Sequence, residues 1–178
     1  MVAGGGRPTL SLVAGMTLTE SGRRLGGVVW VERRLFETLG AWVRIVADPA
    51  LSIALATQAR HHAAHAQSLE ALLPETRDHD PEAFVSAPTE PTPSRPPMAE
   101  VLRRLVGPTA IDAGSDEIAT LLEVVLPAQV GALDAWVADA SPVRDAPGIR
   151  GVTAILVEHR ADRDRLAALV GGLGPSGR

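Results

Sequence analysis

Residues 73–97 read LPETRDHDPEAFVSAPTEPTPSRPP, with proline at positions 74, 81, 88, 91, 93, 96 and 97. Proline lacks the amide proton that a helix interior needs, and its ring collides with the preceding turn. No helix can run through this stretch, and its composition is that of an extended linker. At about 3.1 Å per residue it is long enough to traverse a helix of about 24 residues rising about 1.5 Å per residue. What it joins then decides the fold.

Upstream, Thr17-Leu-Thr-Glu20 has the form of a capping box, and a helix is expected from there to about Ala47. Its apolar residues Leu25, Val28, Val29, Leu35, Phe36, Leu39, Trp42, Val43 and Val46 recur at three and four. Gly22, Gly26 and Gly27 either loosen its first turns or admit a close neighbour. Asp48-Pro49 ends it, and Pro49 suits the first turn of a second helix. That helix runs to about Leu73, with Leu51, Leu55, Ala59, Ala66, Leu69 and Leu72 on one face. The link between the two is so short that they must pack antiparallel.

Downstream, a short helix over Met98–Val106 precedes Gly107-Pro108. A third long helix is expected over about Ser115–Ala140, with Ser115 as its cap, Asp116 and Glu117 in its first turn, and a kink at Pro127. A fourth runs from about Ile149 to Val170 and stops at Gly171-Gly172. No alternating strand pattern occurs. The expected fold is all-α: two antiparallel helical hairpins joined by a long Pro-rich crossover at 74–97, making a four-helix bundle over 17–172. Tails at 1–16 and 173–178 flank it.

The chain has 178 residues, enough for one domain with a core, and a formal charge of -4, so no basic field points to nucleic acid. The absence of cysteine excludes disulfides, thiolate metal sites and a cysteine nucleophile. All 17 basic residues are arginine, a bias expected of a GC-rich genome. No apolar run approaches the ~20 residues of a membrane span, and residues 1–16 lack the apolar core of a signal peptide. The expectation is a cytoplasmic protein without a membrane or nucleic-acid partner.

The polar residues placed inside apolar stripes carry the functional reading. Glu32 follows Val28 by four and precedes Leu35 and Phe36 by three and four. A lone buried carboxylate is costly unless it is paired, neutralised or bound to a cation; Arg60 is one available partner. In ARHHAAHAQSLE (59–70), His62 and His65 fall on the stripe that holds Leu55 and Leu69, with His61 at its edge. Glu32 stands about as far before the Asp48 turn as His62 and His65 stand after it, so antiparallel packing brings the three to one level. Two imidazoles at i, i+3 facing a carboxylate form a ligand set for iron, manganese or zinc; the other reading is a set of histidines hydrogen-bonded in small gaps. The fourth helix repeats the spacing, with His159 and Asp162 on the stripe of Ile155 and Leu166 and Glu158 at its edge. On the third, Glu123 shares a stripe with Leu126, Val130, Leu133 and Val137, with Gln129 as a competing inward residue and ion pairing to Arg163 or Arg165 as the alternative.

One long link in the middle, together with these residues, resembles the ferritin-like superfamily and within it the di-iron carboxylate proteins. That resemblance covers residues 17–172. It implies single carboxylates from two helices, matched by Glu32 and Glu123, and a Glu-x-x-His motif from each of the other two. His65 matches the histidine of the first motif, while His62 stands in place of its glutamate. His159-x-x-Asp162 reverses the order of the second. The ligand set so implied is Glu32, His62, His65, Glu123, His159 and Asp162, with iron as the expected metal and manganese or zinc as alternatives. The departures leave open a single ion, or a degenerate site holding none.

Other motifs fail on their residues. His61-x-x-x-His65 lacks the glutamate of a zinc protease at 62, hemerythrin-like bundles need a further N-terminal histidine, and no Gly-x-Ser-x-Gly elbow or phosphate loop is present. Two functions follow: a non-haem iron or manganese oxidoreductase acting on a small molecule, or a non-enzymatic bundle whose polar core is structural. Iron storage fits less well, since no acidic nucleation run is present. Trp30 and the glycines that open the first helix suit a homodimer interface.

Overall fold

The computed structural model describes residues 16–75, 77, 80–88 and 97–173. Most of them are helical, and the β pairing among them is an isolated parallel bridge between Val46 and Ile111. The helices are α1 (Leu18–Trp42), α2 (Pro49–Glu70), α3 (Met98–Arg104), α4 (Asp116–Asp139) and α5 (Ala146–Leu173). The tails expected at 1–16 and 173–178 and the crossover expected at 74–97 fall wholly or partly outside the described residues. Within that stretch, Pro81–Phe84 forms a 3₁₀ turn.

The caps explain the first two helix starts. The Thr17 hydroxyl accepts the Glu20 amide at 3.1 Å, and the Asp48 carboxylate accepts the Leu51 amide at 2.8 Å with Pro49 in the first turn. α1 stops short of the expected Ala47. Trp42 is buried and donates its indole N–H to the Leu105 carbonyl at 3.1 Å, and Val46 leaves the helix to pair with Ile111. α5 begins before the expected Ile149, because Pro147 fits a helical first turn, where its missing N–H costs nothing. Ser115 precedes α4 as expected, but its side chain makes no capping bond.

α4 differs most from expectation. It runs as α-helix over Asp116–Thr120, as a π-turn over Leu121–Val125, and as α-helix again over Leu126–Asp139. The Leu126 amide reaches back to the Leu121 carbonyl, one residue further than in an α-helix. Pro127, with no amide to give, follows at once. By length and a mean hydropathy of 1.5 over its most apolar window, α4 is also long and apolar enough to cross a membrane.

Cross-helix polar contacts set the directions. Ser52 donates to the Val43 carbonyl at 3.4 Å while Arg33 pairs with Glu70 at 2.9 Å, so α2 runs against α1. Arg24–Asp139 and Glu32–Gln129 set α4 against α1. Gln58–Asp162 with His65–Glu158 sets α5 against α2, so α5 also runs against α4, to which Arg160 ties it through Asp134. α1 and α5 thus each lie between α2 and α4.

The buried apolar residues form two clusters rather than one. The first gathers Leu35, Leu39, Trp42, Leu51, Leu55, Leu121 and Leu126 with α3. The second gathers Leu25, Val28, Leu69, Phe84, Leu133, Trp136 and Leu156. Gly22 and Gly26, near the start of α1, pack against the second, and their role is close approach. A Cβ on Gly22 would lie 2.9 Å from the Phe84 ring, and one on Gly26 would lie 2.0 Å from the Phe84 carbonyl oxygen. The neighbour they admit is this 3₁₀ segment, not a helix. Arg33 clamps the segment further, with Nη1 2.6 Å and Nη2 2.8 Å from the two oxygens of Glu82.

Gly26→Ala should therefore lower stability by about 1–3 kcal/mol, the range for forcing atoms into a packed site. Gly40→Ala, on the same helix with nothing near its Cβ, should raise it by about 0.5–1 kcal/mol. Chemical denaturation of both variants checks this, and a Gly26→Ala midpoint at or above wild type would contradict the Phe84 packing.

Candidate metal centre

Between the two apolar clusters lies a polar layer. Glu32 sits on α1 between Val28 and Leu35, and His62 and His65 on α2 between Ala59 and Leu69. Gln129 sits on α4 between Leu126 and Leu133, and His159 on α5 between Leu156 and Leu166. All five are buried, Glu32 at 0% exposure. The helical stripe is the reason: each stands three or four positions from a buried apolar residue of its own helix, His65 four before Leu69, and so turns inward with it.

The Glu32 carboxylate is the centre of the layer. Its Oε2 lies 2.6 Å from His62 Nδ1. Its Oε1 lies 2.7 Å from His159 Nε2 and accepts from Gln129 Nε2 at 2.9 Å. His65 Nδ1 stands 3.8 Å from Oε2, beyond hydrogen-bond reach, and is buried without a hydrogen-bond partner. The other nitrogen of His65, Nε2, meets the half-exposed Glu158 carboxylate at 2.8 Å. The rings pack on one another, with centroids 4.7 Å apart for His65 and His159 and 5.3 Å for His62 and His159. One donor atom each from Glu32, His62, His65 and His159 lies within 4.8 Å of the other three.

This group can hold a metal ion. Bonds of about 2.0–2.1 Å to nitrogen and oxygen place the donors of a tetrahedral site about 3.4 Å apart, so the group must close slightly around an ion. The hydrogen bonds from His62 and His159 to Glu32 would have to open by under an ångström and give up their protons. His65 Nδ1 is the atom that no proton bond already claims.

Two of the expected ligands are elsewhere. Glu123 is exposed. The π-turn is wider than an α turn, so it rotates the residues before Leu126 off the stripe of Val130 and Leu133, and Gln129 faces Glu32 instead. Asp162 is buried, but Oδ2 holds His61 Nδ1 at 2.6 Å and Oδ1 holds Arg165 at 2.8 Å, while its carbonyl accepts from Gln58 at 2.9 Å. Its two oxygens are occupied one turn away from Glu32. Neither the Arg60 partner considered for Glu32 nor pairing of Glu123 with Arg163 or Arg165 occurs. Glu158, read as an edge residue, reaches His65. The signal was present in the register: if His61 meets Asp162 across two antiparallel helices, His65 one turn later must meet Glu158 one turn earlier.

Electrostatics follow from burial and these neighbours. Burial alone would push the Glu32 carboxyl up, but His62 and His159 beside it outweigh this and hold it well below the usual carboxylate range. Burial lowers His62, against the pull of Glu32. Burial also acts to lower His65, but the nearby Glu32 charge and the bond to Glu158 prevail and raise it.

No family model matches the chain, and neither does any curated protein or solved structure.

His62 and His65 should titrate with opposite effects on stability. Folded His62 resists the proton that the unfolded chain takes up near ~6.5, so its contribution falls as the pH drops below that value. Folded His65 holds its proton longer, so its contribution is full below ~6.5 and is lost as the pH rises through its folded value. In chelator-treated protein, the stability lost on His62→Gln should grow between pH 5.5 and pH 8, and that lost on His65→Gln should shrink. Denaturant titrations at the two pH values check this, and the same trend in both variants would contradict the assignment.

Proposed function

We propose that this chain is a metal-binding helical bundle of ferritin-like connectivity that holds one divalent transition-metal ion through Glu32, His62, His65 and His159. The observation that carries the reading is His65 Nδ1, a buried nitrogen with no hydrogen-bond partner, 3.8 Å from a buried carboxylate that two further imidazoles already face. The helix order supports the connectivity: α1 runs against α2, α4 runs against α5, and the Pro-rich residues 74–97 separate the pairs.

The donor set argues for one ion. Three imidazoles and a single carboxylate suit iron, zinc, copper or nickel. Two ferric ions need more negative charge than one carboxylate provides, and Glu123 and Asp162 are not among the converging donors. Non-haem iron, with manganese as the alternative, is the metal of the proposed oxidoreductase activity, and would supply one-electron redox chemistry at this point. The surrounding residues have definable parts in it. Gln129 orients the Glu32 carboxylate, and Glu158 fixes the His65 ring and links it to solvent. The burial of all four donors limits access to small molecules. The competing reading, a purely structural network, is favoured by the three hydrogen bonds that already satisfy Glu32.

Metal titration of chelator-treated protein separates the two. One iron, manganese or zinc ion per chain should bind and raise the melting temperature, with about 2.7 kcal/mol of stabilisation at a hundredfold excess over Kd. His65→Ala should abolish the rise, and Glu123→Ala should leave it unchanged. A melting temperature unmoved by all three metals would establish the structural network instead.

A further inference from the structure

A cavity of about 660 Å³ lies away from the metal centre, between the C-terminal half of α1, the turn after it, and α3 with Gly107 and Pro108. None of the four converging donors lines it. Its volume falls within the range of sites that take drug-sized organic molecules, about 300–1,000 Å³. The walls are apolar: Trp30, Trp42, Ile45, Leu102, Leu105 and Val106. Trp42, its indole N–H spent on the Leu105 carbonyl, closes the cavity on the core side together with Leu102 and Leu105, and the accessible apolar wall is Trp30, Ile45 and Val106. Val106 is 69% exposed, an apolar side chain left in water beside an apolar opening.

The charge around this cavity is opposite to that of the chain. The protein carries -4 overall, yet Arg34, Arg44 and Arg103 line the cavity against Glu37 alone. Arg34 is committed, bonded to Glu37 at 2.7 Å and stacked over Trp30 at 5.5 Å from the ring centroid. Arg44 and Arg103 have no carboxylate partner among the described residues. Two guanidinium groups beside an apolar chamber present the planar donors that bind a carboxylate in two-point fashion.

We propose that this cavity is a binding site for an apolar organic anion, a chain-like molecule ending in one carboxylate. The chain lies along Trp30, Ile45 and Val106, the partly exposed apolar residues of the lining, and the carboxylate is held by Arg44 and Arg103. This site is independent of the metal reading and stands whether or not an ion is bound.

Calorimetric titration of the full chain with dodecanoate, below its micelle concentration, tests the proposal. Dodecanol and dodecyltrimethylammonium serve as the uncharged and cationic comparisons. Dodecanoate should bind one per chain and the cation should not bind. The double variant Arg44→Ala/Arg103→Ala should weaken dodecanoate by about tenfold or more, the scale of losing charge-assisted bonds, and leave dodecanol unchanged. Ala99→Trp, which fills the chamber, should abolish both at an unaltered melting temperature. Absence of saturable dodecanoate binding, equal loss of dodecanoate and dodecanol in the arginine variant, or binding of the cation would each overturn it.

Discussion

A carboxylate with no exposure to water organises this protein. Taking Glu32 out of solvent costs several kcal/mol unless its charge is answered where it lies, and one residue from each of three other elements of the bundle answers it. His62 comes from α2, Gln129 from α4 and His159 from α5, each within hydrogen-bond reach. All four long helices are therefore tied at one level by one side chain. The same layer splits the apolar core in two, and the register of every helix pair must satisfy both halves and the bonds between them. Apolar contacts alone tolerate sliding by a turn. A carboxylate that needs three specific donors does not.

The π-turn of α4 decides the composition of that layer. In a uniform α-helix, Glu123 would follow the stripe of Leu126 and Leu133 toward the centre, adding a second buried negative charge. The wider turn at Leu121–Val125 sends it to the surface and leaves the neutral amide of Gln129 to face Glu32. The consequence is a centre rich in nitrogen with a single carboxylate, the ground on which we propose one ion rather than two. Asp162 is withdrawn differently, by His61 and Arg165, into a second polar group that ties α2 to α5 beside the first.

The all-helical architecture could be read from spacing alone, because stripes at three and four leave no strand pattern to compete. The inward facing of Glu32, His62, His65 and His159 was legible for the same reason, and counting from the Asp48 turn placed the first three at one level. The misplacement of Glu123 came from assuming one period throughout α4; Pro127 was read as a kink, and its effect on the hydrogen bonding of the turn before it is not a matter of periodicity. Asp162 faces inward as its stripe position indicates, but a stripe position says which way a Cβ points and nothing about which neighbour reaches the side chain first, here His61 and Arg165. The fit of Phe84 against Gly22 and Gly26 was beyond reach for a related reason: the glycines signalled a close approach, but the partner comes from a segment with no period to align.

The central claim is that three imidazoles and one carboxylate enclose a single ion. X-ray absorption of the iron-loaded or zinc-loaded protein tests it most directly. The account predicts a first shell of nitrogen and oxygen at about 2.0–2.1 Å, the multiple-scattering pattern of three imidazoles, and no metal scatterer in the range of about 3.5–4 Å that marks a two-metal site. A metal–metal distance in that range, or a shell with fewer than two imidazoles, would contradict it.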